Sequence, residues 1–222
     1  GERVWLRLLE QNAERLRQAA SVLAADFGFR SAVGTADRPT IASALENSGD
    51  RIGAAVTALL DPQLQLVVAS GSADGGMAAN ALQQVAAELA RDSRGSRIAR
   101  VNRVPYQFVM VPVRAPTVIG WVLMGFQINQ GLADDLYRVS GVHLAVFSGT
   151  DAAQLDLVVT TLAGQERVLS ALALSQAADT DIGGETYVAR HVTLPTTRGA
   201  NTANSTGRAR SEKATTASAL AT

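Results

Sequence analysis

Residues 106–127 read YQFVMVPVRAPTVIGWVLMGFQ, two long apolar runs separated by Ala115 and Pro116. Both runs are rich in β-branched and aromatic residues, which favour strands, and the Ala-Pro pair predicts a turn between them. We therefore predict two neighbouring antiparallel strands, Tyr106–Arg114 and Val118–Gln127. Their almost continuous apolar character indicates that both faces of the sheet are covered.

The residues before this pair predict the rest of the sheet. Residues 97–103 read as a further strand, and residues 77–91 as an amphipathic helix. Residues 55–60 and 64–70 are apolar runs joined by Asp61-Pro62-Gln63, which predicts a hairpin. The order of strand, strand, helix and three strands predicts a five-stranded antiparallel sheet with a helix on one face. The N-terminal helices would cover the other face.

The N-terminus predicts an amphipathic helix of about six turns. Its apolar stripe contains one polar residue and comprises Val4, Leu8, Asn12, Leu16, Ala19 and Leu23. The stripe can lie on its own domain, or it can form a dimer seam in which Asn12 fixes the register of two paired helices. Residues 27–29 interrupt this helix. Asp37 and Pro39 then predict the start of a second helix through Leu45, with Gly49 as its stop.

A second and smaller unit is predicted from Gly131, either as a true second module or as an elaboration packed on the first. It would contain a helix near Leu136, strands at 142–147, 155–161 and 186–194, and a helix at 165–174. Residues 198–222 lack aromatic side chains and are dominated by small and polar residues, a composition typical of a disordered tail. The fold class is therefore α+β. We expect helical residues 1–52, a first unit at 53–130, a second at 131–197 and a low-complexity tail at 198–222.

Composition excludes several classes of function. The chain has 222 residues, equal numbers of basic and acidic side chains, and no cysteine. Zero net charge argues against a nucleic-acid partner, and the lack of cysteine excludes thiol catalysis, disulfides and cysteine-ligated zinc. We expect no cofactor and no metal. No apolar run reaches the roughly 20 residues of a membrane span. We expect the chain to be a segment of a longer polypeptide, because a helical pattern begins at Glu2.

No catalytic motif is present. The sequence contains neither a nucleophile elbow nor a Gly-rich nucleotide loop, and its one lysine, Lys213, lies in the tail. His143 and His191 fall in predicted strands without a neighbouring acidic motif. We expect no catalytic residue in this segment.

A small-molecule pocket is the best prediction for a functional site. Strand alternation places Tyr106, Phe108, Met110 and Arg114 on one face of their strand, and Arg100 and Asn102 share a face of the preceding strand. An aromatic and methionine wall with arginines at its rim is typical of ligand pockets. It is equally typical of a sheet core whose rim arginines reach water.

Several strings resemble a known family. They are Asp26-Phe-Gly-Phe-Arg-Ser-Ala-Val33, the run from Asp37 to Asn47, Arg51-Ile-Gly53, Val111-Pro-Val-Arg-Ala-Pro116 and Gly120-Trp-Val-Leu-Met-Gly-Phe126. They are similar to Cache-type (double Cache, PAS-like) extracytoplasmic sensor regions of bacterial membrane receptors, most of all those ahead of GGDEF and EAL domains, which make and degrade cyclic di-GMP. The resemblance covers residues 1–195, without the signature of the amino-acid-binding Cache proteins.

The resemblance implies a periplasmic sensor held between membrane helices that lie outside this segment, with a small-molecule ligand and a homodimer through the first helix. The parent chain would be a diguanylate cyclase or a cyclic di-GMP phosphodiesterase. A sensor of a histidine kinase or chemoreceptor is the alternative output. A ligand-free dimerisation module is the alternative of another class.

Overall fold

The structure is a computed structural model that describes residues 2–70, 79–92, 95–101, 104–149, 155–175, 179–182, 184–194, 196–197 and 215–221. Three helices come first: α1 (Glu2–Ala25), α2 (Phe27–Thr35) and α3 (Arg38–Ile52). The first unit adds β1 (Val56–Leu60), β2 (Leu66–Ser70), α4 (Ala79–Arg91), β3 (Ser96–Val101), β4 (Val104–Arg114) and β5 (Val118–Gln127). These strands and the helix between them confirm the predicted order.

The first sheet, called sheet A, contains these five strands and a short sixth strand, β10, at residues 196–197, in the order β10-β3-β4-β5-β1-β2. Its strands β1 to β5 pair antiparallel, as predicted, and β10 (Thr196–Thr197) adds a short parallel pairing with β3. The α+β fold class is therefore confirmed.

Sheet A is covered on both faces. One face packs on α1, α2 and α3 through a cluster that includes Leu16, Ile41, Leu45, Val109 and Val111. The other face packs on α4 through a cluster that includes Leu82, Val85, Ala86, Phe108 and Leu123. This double burial explains why β4 and β5 read as continuous apolar runs.

The helices differ from the sequence prediction at two places. Residues 27–29 do not simply interrupt helical structure, because α2 begins at Phe27, and the Asp26 carboxylate caps it by accepting from the Phe29 amide at 2.7 Å. The interruption is a single residue.

The predicted stop at Gly49 is wrong. Helix α3 continues to Ile52, and its left-handed C-cap is Gly53, with φ of 70°. Gly49 is buried inside the helix, where a Cβ atom would lie 2.8 Å from the Thr57 Cγ2 atom. The glycine thus permits close packing of α3 on β1. The predicted start is confirmed, since Asp37 accepts from the Thr40 amide at 3.3 Å.

The second unit contains α5 (Gln130–Ser140), β6 (His143–Gly149), β7 (Leu155–Thr160), α6 (Glu166–Ser175), β8 (Asp179–Ile182), β9 (Glu185–Leu194) and β11 (Thr215–Ala221). Its sheet, called sheet B, has the order β7-β6-β11-β9-β8. Leu169 and Leu172 of α6 pack on one face with Phe147. Leu136 of α5 packs with Leu144 on the other face.

The expectation of a disordered tail is wrong for residues 215–221. They form β11, which pairs antiparallel with both β6 and β9. Ladder hydrogen bonds come from the backbone, so a run of Thr, Ala and Ser can form a strand when two neighbouring strands offer unpaired groups. Residues 198–214 lie outside the described residues.

Helix α1 contacts both units. Leu16, Ala20 and Leu23 belong to the cluster on sheet A. Nearer the N-terminus, Leu9 is buried in a different cluster that includes Leu136 of α5. A single helix therefore carries apolar contacts of the first unit and of the second unit.

The packing between β4 and β5 supports a first testable prediction. Gly125 lies opposite Phe108 in the β-ladder, and a Cβ atom there would lie 2.5 Å from the Phe108 Cε1 atom. Since the ring is fully buried, Gly125→Ala should lower the free energy of unfolding by about 1–3 kcal/mol through overpacking. Chemical denaturation measures this loss. Gly34→Ala is the matched control: open space surrounds Gly34 in α2, so this variant should be unchanged or more stable.

Candidate functional site

Half of the predicted site residues meet on one face of sheet A. Tyr106, Phe108 and Met110 all belong to the cluster that packs against α4. The rings of Tyr106 and Phe108 have centroids 6.0 Å apart and an interplanar angle of 42°. Phe108 has no exposed surface and Tyr106 is buried as well, whereas Met110 is half-buried. Tyr106 and Phe108 are therefore the deepest of the three on the face of sheet A that packs against α4, which we call the α4 face. Met110 lies nearer to solvent.

Burial also affects the ionisation of Tyr106. Removal of its phenol from water raises the pKa of Tyr106 above its ordinary value. The phenol therefore stays neutral at physiological pH, and this part of the wall carries no charge.

Trp121 extends the wall, although it is not among the predicted site residues. Trp121 lies opposite Pro112 of β4 and Leu60 of β1, on the same face as Met110. Four half-buried apolar side chains that pack against the cluster beneath α4 form what we call the Trp121 patch: Leu64, Leu66, Met110 and Trp121. The alternation of side chains along β5 places Trp121, Leu123 and Gly125 on one face. The pattern of alternation that was used for β4 would therefore also have identified Trp121.

The arginines are not placed together with this wall. Arg100 lies opposite Pro105 in the register of β3 and β4, so it shares a face with Gln107 and not with Tyr106. Arg114 is exposed beyond a register shift, and its carbonyl accepts from the Arg30 Nη1 atom at 3.3 Å. Asn102 lies outside the described residues. The ligand-binding role of the six residues stays a prediction.

Polar contacts hold α4 over the wall. The Arg97 guanidinium on β3 forms ion pairs with Glu88 at 2.8 Å and with Asp92 at 3.6 Å. The Gln83 Nε2 atom of α4 donates to the Gln65 Oε1 atom at 2.8 Å. These contacts tie the helix to β3 of sheet A and to the turn between β1 and β2, and so fix its position over this face.

A concave feature lies on the opposite side of β1 and β2 from the Trp121 patch. It is an open cleft of about 430 Å³, lined by Glu46, Gly49, Asp50, Ala54, Thr57, Ala69 and Ser70. Glu46 and Asp50 are one helical turn apart on α3. The cleft is polar and acidic, in contrast to the Trp121 patch.

A family model agrees with the two-unit architecture. It describes the double sensory domain of two-component sensor kinases, dCache_3, and it matches residues 2–204. The chain belongs to the dCache_3 family. This dCache_3 domain is thus a sensory domain of the extracytoplasmic type that signalling proteins carry, and the predicted Cache resemblance is confirmed.

Several solved structures are similar to this dCache_3 domain. The extracellular domain of vpHK1S-Z8, described as a histidine kinase, is 8% identical, with a TM-score of 0.50 and coverage of 99% of this chain and 88% of the other. The sensor domain of the V. cholerae histidine kinase DctB is 13% identical over 97% of both chains, with a TM-score of 0.44. A domain from Vibrio parahaemolyticus, assigned to the sensory box/GGDEF family, is 8% identical, with a TM-score of 0.46 and coverage of 95% and 88%.

No curated protein is similar enough to this dCache_3 domain to count as a relative. The vpHK1S-Z8 domain, at 8% identity and a TM-score of 0.50, supports the fold alone.

His143 of the dCache_3 domain has an aromatic environment. Its ring stacks on Tyr137 of α5 at 4.4 Å and meets Tyr187 of β9 edge-on at 5.9 Å. Its Nδ1 atom lies 3.1 Å from the Thr161 Oγ1 atom. These are packing contacts around a strand histidine. His191 lies in β9.

Neither a metal-binding cluster nor a membrane-spanning helix occurs in the described part of the chain. No three His, Asp or Glu side chains there are close enough to hold a metal ion. Within the same residues, no helix has the length and hydrophobicity needed to cross a membrane.

Proposed function

We propose that this dCache_3 domain is the periplasmic, ligand-sensing part of a membrane-bound bacterial signalling protein. The observation that carries the proposal is the packing of α1, which contacts sheet A through Leu16 and Ala20 and the second unit through Leu9. A helix shared by two units lets a ligand that favours one arrangement of the first unit alter the second. The first unit, residues 53–130, would then lie distal to the membrane and the second, residues 131–197, nearer to it.

The proposed ligand site is the α4 face of sheet A, entered at the Trp121 patch. A pre-formed apolar surface beside a few polar groups suits a small molecule. The half-buried Met110 and Trp121 are the side chains that a ligand would contact first, and Tyr106 and Phe108 support them from below. Arg100, Asn102 and Arg114 remain proposed rim residues.

A ligand at this site should change the fluorescence of Trp121. Trp5 and Trp121 are the two tryptophans, so Trp5→Phe leaves Trp121 as the single indole reporter. Titration with amino acids, organic acids and polyamines should yield a compound that shifts the emission and raises the Tm. At 100 times its Kd such a ligand would add about 2.7 kcal/mol to stability.

Met110→Ala should weaken the binding of that ligand by about 5- to 150-fold, which corresponds to one buried apolar contact of about 1–3 kcal/mol. Met124→Leu is the matched control, because Met124 is fully buried on the opposite face of sheet A. Equal affinity in both variants would place the ligand elsewhere, with the acidic cleft beside α3 as the next position to test. No binding across a broad panel would favour a ligand-free structural module.

The proposed output is cyclic di-GMP turnover by GGDEF or EAL domains, supported by the sequence strings quoted above. A histidine kinase is the second candidate, because the matching family is described as that of two-component sensor kinases. Sequencing the complete reading frame tests both. Membrane spans of about 20 residues followed by GGDEF or EAL strings would support the first, and a kinase domain would support the second.

We keep a homodimer through α1 in the proposal, but on a different face of the helix from the apolar stripe that the sequence pattern suggested. The apolar stripe of α1 packs on its own chain through Leu9, Leu16 and Leu23. Pairing with a second copy would therefore use the outer face of the helix, which is mainly polar but includes Val22, 75% exposed.

A further inference from the structure

A buried polar contact joins α1 to sheet A. Gln107 of β4 is 2% exposed, and both ends of its side-chain amide are paired with α1. Its Oε1 atom accepts from the Asn12 Nδ2 atom at 2.8 Å, and its Nε2 atom donates to the Leu9 carbonyl at 3.1 Å. The Arg15 guanidinium donates to the Asn12 Oδ1 atom at 3.1 Å and so orients the Asn12 amide. Asn12, the polar residue in the apolar stripe of α1, thus has its hydrogen-bond partner, Gln107, within the same chain.

The surroundings of this contact are apolar. Gln107 lies opposite Ile98 in the β-ladder, and Ile98 is buried with Leu9 in the cluster that reaches the second unit. On the same face of β4, Val109 packs in the cluster on the C-terminal half of α1. The amide therefore lies where α1 passes from one apolar cluster to the other. An unpaired amide at such a buried position is strongly unfavourable.

The two hydrogen bonds of the Gln107 side chain can form together in only one position of α1 on sheet A. A shift of the helix by one residue moves its groups by about 1.5 Å along the axis and about 100° around it. Hydrogen bonds of the observed lengths do not survive such a shift, because N–H···O contacts beyond about 3.2 Å are weak. Apolar packing alone would tolerate small displacements better. The amide contact therefore restricts the position of α1 more sharply than the apolar contacts around it.

We propose that Gln107 is a positioning residue that, with Asn12, sets the register of α1 on sheet A, so that any signalling movement of α1 must break this contact. The proposal rests on the proposed sensory function for its biological meaning. The register itself can be measured without a ligand, so failure to find a ligand and failure of this proposal are distinguishable.

The experiment measures the distance between α1 and the far end of β4. The chain has no cysteine, so Gln11→Cys and Thr117→Cys, both at exposed positions, accept one spin label each. Strand β4 runs from Gln107 to its end at Arg114, and Thr117 lies in the turn that follows, so the labels are separated by about 23 Å along the strand, within the range of pulsed dipolar spectroscopy. We expect one narrow distance distribution in the labelled parent chain.

Asn12→Leu combined with Gln107→Met replaces both amides by apolar groups of similar size. We expect the distribution of this double variant to broaden, or to shift by about 1.5 Å or more. Asn12→Ala, which keeps the Leu9 contact, serves as the milder variant should the double variant not fold, and it should broaden the distribution less.

Thr57→Val is the matched control. Thr57 is equally buried, and its Oγ1 atom donates to the Ser70 carbonyl at 3.3 Å, in a hydrogen bond that does not involve α1. This variant should lose stability and keep the parent distance. An unchanged distribution in a folded Asn12 and Gln107 variant would overturn the proposal. Equal broadening in Thr57→Val would overturn it too, because the effect would then be general loosening.

Discussion

Phe108→Ala is expected to lower the free energy of unfolding by about 3–5 kcal/mol. Phe108 has no exposed surface and lies between α4 and the backbone of Gly125. Glycine at 125 leaves no side chain that could move into the space, and the ion pairs of Arg97 hold α4 at a fixed distance from the sheet. The cavity should therefore persist, which places the loss in the upper part of that range.

Phe27→Ala is the matched control for this prediction. The ring of Phe27 is 80% exposed at the start of α2, so its removal should change stability by less than about 0.5 kcal/mol. Urea denaturation followed by circular dichroism measures both variants. A loss below about 1 kcal/mol in Phe108→Ala would show that α4 collapses onto the sheet, which would contradict a pre-formed α4 face.

Leu9→Ala is the second large prediction. Leu9 is buried where α1 meets the second unit, in contact with a cluster that includes Ile98, Leu136 and Val146. Its truncation should cost about 2–5 kcal/mol. Because Leu9 contributes to the contact between units, we also expect unfolding of the second unit to separate from that of the first, so that one calorimetric transition becomes two.

Arg7→Ala controls for changes to the helix itself. Arg7 is exposed on the same helix, so its replacement should leave both stability and the number of transitions unchanged. A Leu9→Ala variant that unfolds at a lower temperature in one transition would show that the units are coupled through other contacts. Differential scanning calorimetry distinguishes the two results.

Local patterns predicted much of the first unit. The alternation within β4 correctly separated Phe108 and Met110 from Val109 and Val111, because residues on one strand take their faces from period two alone. The N-cap of α3 at Asp37 could likewise be predicted from nearby residues, because its hydrogen-bond partner is the Thr40 amide three residues later. These features depend on contacts within a few residues.

Features that join distant segments could not be predicted in this way. Arg100 and Tyr106 are close in sequence, yet the register of β3 and β4 places them on opposite faces. A change of one residue in that register would exchange the faces, and no local pattern specifies it. The Trp121 patch depends in the same way on the pairing of β5 with β1 and β4.

By itself, the sequence determined the α+β class, the order of the first-unit elements, the amphipathic α1 and the lack of cysteine chemistry, because composition and periodicity are local properties of the chain. Only the tertiary structure decided that Asn12 pairs with Gln107, that residues 215–221 complete sheet B, and that α1 packs on both units. Each of these features joins segments far apart in the chain. Such pairings depend on which buried groups meet a partner in the folded molecule, and local preference carries no information about that.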